Sequence, residues 1–165
     1  MPGTTHARAC LHPAVPVLTV AAVLAADQLT KQAILRALPT IGHQLVVVRG
    51  FFSLVHYRNP GAAWGILPGA TDLLSFVSIL VIAGVTAWFD RLTEGIRVRA
   101  ISLSLIVGGV AGNLIDRMLY REVIDFLLVY YRTFQWPAFN VADSAITCGV
   151  MLYIVSTFLS PRHAS

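Results

Sequence analysis

Three aspartates carry the chemistry this sequence offers. Asp116 lies in Gly108-Gly109-Val110-Ala111-Gly112-Asn113-Leu114-Ile115-Asp116-Arg117, Asp125 in Val123-Ile124-Asp125-Phe126, and Asp143 in Phe139-Asn140-Val141-Ala142-Asp143-Ser144. Each sits at the end of a very apolar segment, where a carboxylate is costly to keep and so points to function. Two carboxylates held close resist double ionisation, because the second charge is repelled by the first. Such a pair shares one proton: one member takes a proton from water while the other protonates a carbonyl or leaving group. Other hydrolytic schemes lack parts. Lys31 is the single lysine, no Gly-x-Ser motif occurs, and Cys148 has no histidine near it in sequence.

Each acid also has a local reading. Asp143 suits the first turn of a helix, whose dipole favours negative charge. Asp125 could pair with Arg121 if its segment is helical, and Asp116 could hydrogen-bond Asn113, three residues away on one helix face. Taken singly, these readings are as good as the catalytic one. They do not explain why all the acids gather at one level. Position on a span favours Asp116 as the partner of Asp143.

The elements that hold these residues follow from composition. The 165 residues form one unit, 56% apolar and only 12% charged, where a soluble domain carries about 25% charge. This is the composition of an integral membrane protein. A net charge of +4 spread over every connection, without a basic run, argues against nucleic acid as a partner. Two cysteines and five scattered histidines give neither a disulfide framework nor a metal motif. Cys10 precedes the first apolar stretch, the wrong order for a lipoprotein signal peptide.

The expected fold class is an all-α membrane protein with four transmembrane helices, at about 14–38, 72–89, 100–119 and 141–159, after a disordered tail at 1–13. The apolar run 14–26 is too short to span alone, since a helix needs roughly 20 residues, so it must continue through Asp27 to Pro39. Asp27 is then either a functional acid near the far membrane face or an interfacial one paired with Lys31 at i,i+4. Residues 41–64 change character: Gln44–Val48 and Phe51–Tyr57 flank Arg49-Gly50 and read as two strands and a turn. Backbone of that kind cannot face lipid, which puts a small sheet outside the membrane. Thr71 or Asp72 is placed to cap the second span. Gly108 and Gly112 form a GxxxG step that admits a neighbouring helix. Residues 120–131 fit either an amphipathic helix or a strand. Trp136 suits a membrane interface, and Asn140 caps the last span. The short basic link 90–99 puts both termini in the cytoplasm and the acids on the outer face.

Five blocks together resemble the bacterial lipoprotein signal peptidase (signal peptidase II) family. They are Asp27-Gln28-Leu29-Thr30-Lys31, Arg58-Asn59-Pro60-Gly61-Ala62-Ala63-Trp64-Gly65, and the three stretches carrying Asp116, Asp125 and Asp143, in order from about residue 17 to 159. The resemblance implies an inner-membrane aspartyl endopeptidase of four spans, with a small periplasmic sheet and a short periplasmic interfacial helix. It needs no cofactor or metal, acts as a monomer among membrane lipid, and removes the signal peptide from a diacylglyceryl-modified prolipoprotein by cutting before the modified cysteine. It moves the catalytic pair to Asp125 and Asp143. Asp116 becomes a structural acid, and Asn59, Gly61, Asn113, Arg117, Asn140 and Asp27 become substrate-binding or dyad-supporting residues. Trp64 stands where many members have Phe. A small proton-coupled carrier would instead need acids spread through the bilayer depth and inverted repeats. An assembly subunit would need only the glycine step and would leave the acids unexplained.

Overall fold

The computed structural model describes residues 14–61 and 67–159; Trp64 and the 1–13 tail lie outside them. In chain order the elements are helix α1 (Ala14–Ala37), strands β1 (Gln44–Val48) and β2 (Phe52–Asn59), helices α2 (Thr71–Ala87), α3 (Phe89–Thr93) and α4 (Arg97–Tyr120), strands β3 (Val123–Tyr131) and β4 (Phe134–Gln135), and helix α5 (Val141–Leu159). Three of the helices, α1, α4 and α5, are long and apolar enough to cross a membrane; α2, at 17 residues, is shorter.

Helix α4 is central and packs on α5, α1 and α2. Glycines permit the approach. Gly108 faces Val23 and Gly112 faces the Asp27 carboxylate, so the GxxxG step is the contact with α1. Gly109 lies against the Ala142 carbonyl of α5, and Gly149 of α5 lies against the Ser102 carbonyl of α4. Exposed leucines, valines and phenylalanines cover the outside, as on α2 at Leu73, Phe76 and Leu80. Bundle and site are therefore joined along one seam: the face of α4 that lacks side chains is the face that carries Asn113 and Asp116.

The sheet differs from the expected two-stranded one. It is antiparallel in the order β1-β2-β3-β4, and residues 123–131 form its third strand. The segment left open between helix and strand is a strand, and no interfacial helix stands there; among the described residues the one short helix is α3, between α2 and α4. The reason lies in burial. Val123, Ile124, Asp125 and Phe126 are all buried, so the first half of β3 is covered on both faces and shows no alternation in sequence. Its neighbour β2 carries one extra residue between Leu54 and Tyr57, a bulge that leaves consecutive Val55 and His56 both buried. His56 Nδ1 lies 2.8 Å from the Leu38 carbonyl and so ties the sheet to the end of α1.

Two junctions aim β3 at the bundle. Arg121, at φ 64°, takes the left-handed conformation that ends α4 and turns the chain back. Phe139 then exchanges backbone hydrogen bonds with Leu127, at 3.1 and 2.8 Å, which brings the start of α5 alongside Asp125. Thr71 and Asp72 do not cap α2. The Thr71 hydroxyl donates to the Arg121 carbonyl at 2.7 Å, and Asp72 pairs with the Arg121 guanidinium at 2.6 Å.

Candidate active site

Asp125 comes from β3, Asp143 from the first turn of α5, and both line one cavity of about 790 Å³. Asn59 and Gly61 from the end of β2 and Arg117 from α4 share the polar wall, with Arg58 beside them. Trp136, Pro137, Phe139 and Ile146 supply an apolar wall. Trp136 thus belongs to the cavity. A polar end beside an apolar trough suits a ligand with one polar and one apolar part.

Asn140 joins the two acids. Its Nδ2 donates to Asp125 Oδ1 at 2.9 Å, to the Ile124 carbonyl at 3.2 Å and to Asn113 Oδ1 at 3.1 Å. Its Oδ1 accepts the Asp143 N–H at 2.9 Å, and its own N–H donates to Asp143 Oδ2 at 3.1 Å. That reciprocal pair is a capping box with aspartate in the third helical position. The remaining oxygens are also held: Asn59 Nδ2 donates to Asp125 Oδ2 at 3.1 Å, and Asn113 Nδ2 to Asp143 Oδ1 at 2.8 Å. Arg117 donates to the Gly61 carbonyl at 3.3 Å, fixing the backbone that follows Asn59.

Burial pushes the Asp125 carboxyl up to about 7 from its usual 3.8, and the neighbouring Asp143 charge adds to the rise. Hydrogen bonds from Asn59 and Asn140 and the charge of Lys31 oppose it without prevailing. Asp125 therefore titrates near neutrality, where a group can both give and take a proton.

Asp116 and Asp27 stand behind this layer, fully buried. Lys31, also fully buried, bridges them at 2.8 and 2.7 Å and donates to Asn113 Oδ1 at 3.1 Å. Asp116 also accepts from the Ile124 N–H at 3.1 Å and from Gln28 at 3.1 Å, and Asp27 accepts from the Ala142 N–H at 2.9 Å. The Asp27–Lys31 pair foreseen from the sequence is present, but in the core instead of at an interface. The other two local readings give way: Asn113 bonds Asp143 and Lys31 where Asp116 was expected, and Arg121 pairs with Asp72 and not with Asp125. Gln28 was not singled out by sequence reasoning, and Lys31 was named only as the i,i+4 partner of Asp27, not as a partner of Asp116 and Asn113. Among the described residues no three of His, Cys, Asp and Glu are grouped to hold a metal ion.

Residues 19–159 match the family described as Signal peptidase (SPase) II. A lipoprotein signal peptidase of Geobacillus thermodenitrificans (strain NG80-2) is 40% identical over 141 residues, covering 86% of this chain and 88% of that protein. The lipoprotein signal peptidase of Listeria monocytogenes serotype 4a (strain HCC23) is 39% identical over 145 residues, covering 88% and 94%. Two solved bacterial membrane enzymes, determined by the in meso method at 2.3 and 1.9 Å, superpose with TM-scores of 0.81 and 0.78. They share 30% and 32% of residues with this chain, over 93% and 90% of it and 96% of each of them.

Proposed function

The chain belongs to the signal peptidase II family, and from that premise we propose that it is an aspartyl endopeptidase of the bacterial inner membrane. It removes signal peptides from diacylglyceryl-modified prolipoproteins, cutting before the modified cysteine. Asp125 and Asp143 are its catalytic pair. The observation that carries this reading is the hydrogen-bonded bridge through Asn140, whose Nδ2 donates to the Asp125 carboxylate and whose N–H donates to that of Asp143, at the wall of one cavity.

In this reading the chain forms one membrane domain and crosses four times. Helix α2, about 25 Å long at 1.5 Å per residue, is the short fourth span. Termini and the 90–99 link face the cytoplasm, and the sheet and cavity lie at the periplasmic face. The lipid tails of the substrate lie against the apolar wall, and β2 and β3 flank the peptide. A single chain carries both acids, so a monomer suffices.

Hydrolysis proceeds by two proton transfers in each direction. The ionised carboxylate of the pair takes a proton from water as its oxygen attacks the scissile carbonyl carbon. The protonated partner gives its proton to the carbonyl oxygen. The tetrahedral intermediate collapses as the C–N bond breaks; the departing nitrogen takes the first proton, and the re-forming carbonyl returns the second. Asn59, Asn113 and Asn140 hold the four carboxylate oxygens during this exchange. Asp116 and Asp27 support them from behind.

The test is the pair of variants Asp125→Asn and Asp143→Asn, purified and given a diacylglyceryl-modified precursor peptide. Each keeps the fold and loses at least about a hundredfold in turnover, the scale of one acid–base group. Normal processing by either variant overturns the assignment.

A further inference from the structure

The three asparagines around the carboxylates share a feature that hydrolysis alone does not demand. Each has its Oδ1 against a group that can only donate: Asn59 against the Gly61 N–H at 3.0 Å, Asn140 against the Asp143 N–H at 2.9 Å, and Asn113 against Lys31 Nζ at 3.1 Å. An amide held by its oxygen must turn its NH2 the other way. Asn59 and Asn140 accordingly present hydrogens to Asp125, and Asn113 presents one to Asp143.

Two of these pins are backbone N–H groups. The third is the side chain of Lys31. Its ammonium has three hydrogens and three acceptors in reach, Asp27 Oδ2, Asp116 Oδ2 and Asn113 Oδ1. Asn140 Nδ2 also reaches Asn113 Oδ1, but it divides two hydrogens among three acceptors. Lys31 is therefore the donor that fixes which way Asn113 faces.

We propose that Lys31 is a positioning residue for the proton of the catalytic pair. By occupying Asn113 Oδ1 it turns Nδ2 to Asp143, which keeps Asp143 the ionised member at rest and leaves the shared proton on Asp125. Asp143 already sits in the first turn of α5, where the helix end favours an anion. Without Lys31, Asn113 Oδ1 keeps only its share of Asn140 Nδ2, so Asn113 can rotate and offer its oxygen, and an oxygen facing Asp143 requires a proton there. The inference rests on the reading of Asp125 and Asp143 as the pair. The other charged groups around them are Asp27 from α1, Asp116 and Arg117 from α4, and Arg58 from β2.

Two variants test the role in the full-length protein, with kcat and KM measured on a diacylglyceryl-modified peptide from pH 5 to 9. Lys31→Met removes the donor. Asp27→Asn with Lys31→Met removes it while keeping the net charge of the buried cluster, and decides the matter where the single variant does not fold. Expected are a kcat at least about tenfold lower, KM within about twofold, and a displaced pH profile of kcat; Lys31→Arg, another pure donor, restores the native profile. A folded variant with native kcat, or with lower kcat and an unmoved profile, overturns the proposal. Infrared difference spectra give a reading independent of Lys31. The protonated-carboxyl band of the native enzyme should vanish in Asp125→Asn and persist in Asp143→Asn, and the reverse overturns the assignment. If both of those variants stay active, the pair itself is wrong; if they are dead while the Lys31 variants behave as native, only the role of Lys31 fails.

Discussion

Asn140 and Asp143 cap each other. The Asp143 N–H donates to Asn140 Oδ1 at 2.9 Å, and the Asn140 N–H donates to Asp143 Oδ2 at 3.1 Å. The same two residues thus start α5 and orient a carboxylate of the proposed pair. Stability and chemistry are coupled there, and one substitution separates them. Asn140→Ala loses both the cap, worth about 1 kcal/mol, and the hydrogen bond to Asp125. Asn140→Ser keeps an oxygen for the Asp143 N–H but has no Nδ2 for Asp125. Thermal unfolding should place Ser near native and Ala below it, while both turn over poorly. A serine variant that is stable and fully active would show that Nδ2 does nothing for Asp125.

Asp125 makes the fold sensitive to pH in a defined direction. Its carboxyl titrates at about 7 in the folded protein, raised first by burial and then by Asp143, against 3.8 for an unperturbed aspartate. Between those values the folded protein holds a proton that the unfolded chain has released. Its contribution is therefore fully present below pH 3.8 and is lost as pH rises through about 7, on the order of 4 kcal/mol at full size. Asp125→Asn removes this dependence. Native protein should melt lower at pH 8 than at pH 5, and Asp125→Asn should narrow the gap by standing higher at pH 8. Equal slopes for the two proteins would remove Asp125 as the source.

Two ion pairs of nearly equal length should differ widely in worth. Arg121–Asp72, at 2.6 Å, lies in solvent between two mostly exposed side chains; Lys31–Asp116, at 2.8 Å, is fully buried. Exposed pairs contribute little, because water screens the attraction and ordering two side chains costs entropy. Removing Asp116 leaves the buried Lys31 with one of its two carboxylates, Asp27, and takes the acceptor from the buried Ile124 N–H and from Gln28. Asp72→Ala should leave the melting temperature unchanged, whereas Asp116→Ala should cost about 1–3 kcal/mol for each buried donor left unpaired. Comparable losses in the two variants would contradict this ranking.

The helices were legible because their signal is length and composition, which survive without partners. Helix α1 illustrates it: Ala14–Ala26 is too short to span, so Asp27 and Lys31 had to be inside the helix, and they are. Strands β1 and β2 were legible from β-branched runs around Arg49-Gly50, and Gly50 does take φ 77° in that turn. Strand β3 was not, because a strand covered on both faces has no alternation to read. Its partners β2 and Phe139 lie far away in sequence. The local partners expected for Asp116 and Asp125 were misread for the same reason. Asn113 and Asp116 are neighbours on one helix face, yet their side chains bond Lys31 and Gln28 from α1 and Asp143 from α5. Local spacing cannot report a contact made by another helix. The wider contacts of Lys31 were hidden in the same way, since they depend on Asn113 and Asp116 arriving from α4.

The glycine seam gives a prediction with its own control. A Cβ on Gly109 would run into the Ala142 backbone carbonyl, and one on Gly112 would come within 2.6 Å of Asp27 Oδ2. Neither neighbour is the end of a flexible chain: Ala142 is helix backbone, and Asp27 is held by Lys31 and by the Ala142 N–H. A Cβ on Gly84 of α2 would meet only the Trp88 ring at 3.8 Å, an ordinary contact. Gly84→Ala should therefore be neutral or stabilising, up to about 1 kcal/mol from helix propensity. Gly109→Ala and Gly112→Ala should each cost about 1–3 kcal/mol through overpacking. Gly112→Ala should lose turnover as well, because displacing Asp27 disturbs Lys31 and, through it, Asn113. Thermal unfolding and peptide cleavage measured on all three variants check the order, and a Gly112→Ala protein with native stability and turnover would show that the seam has room to spare.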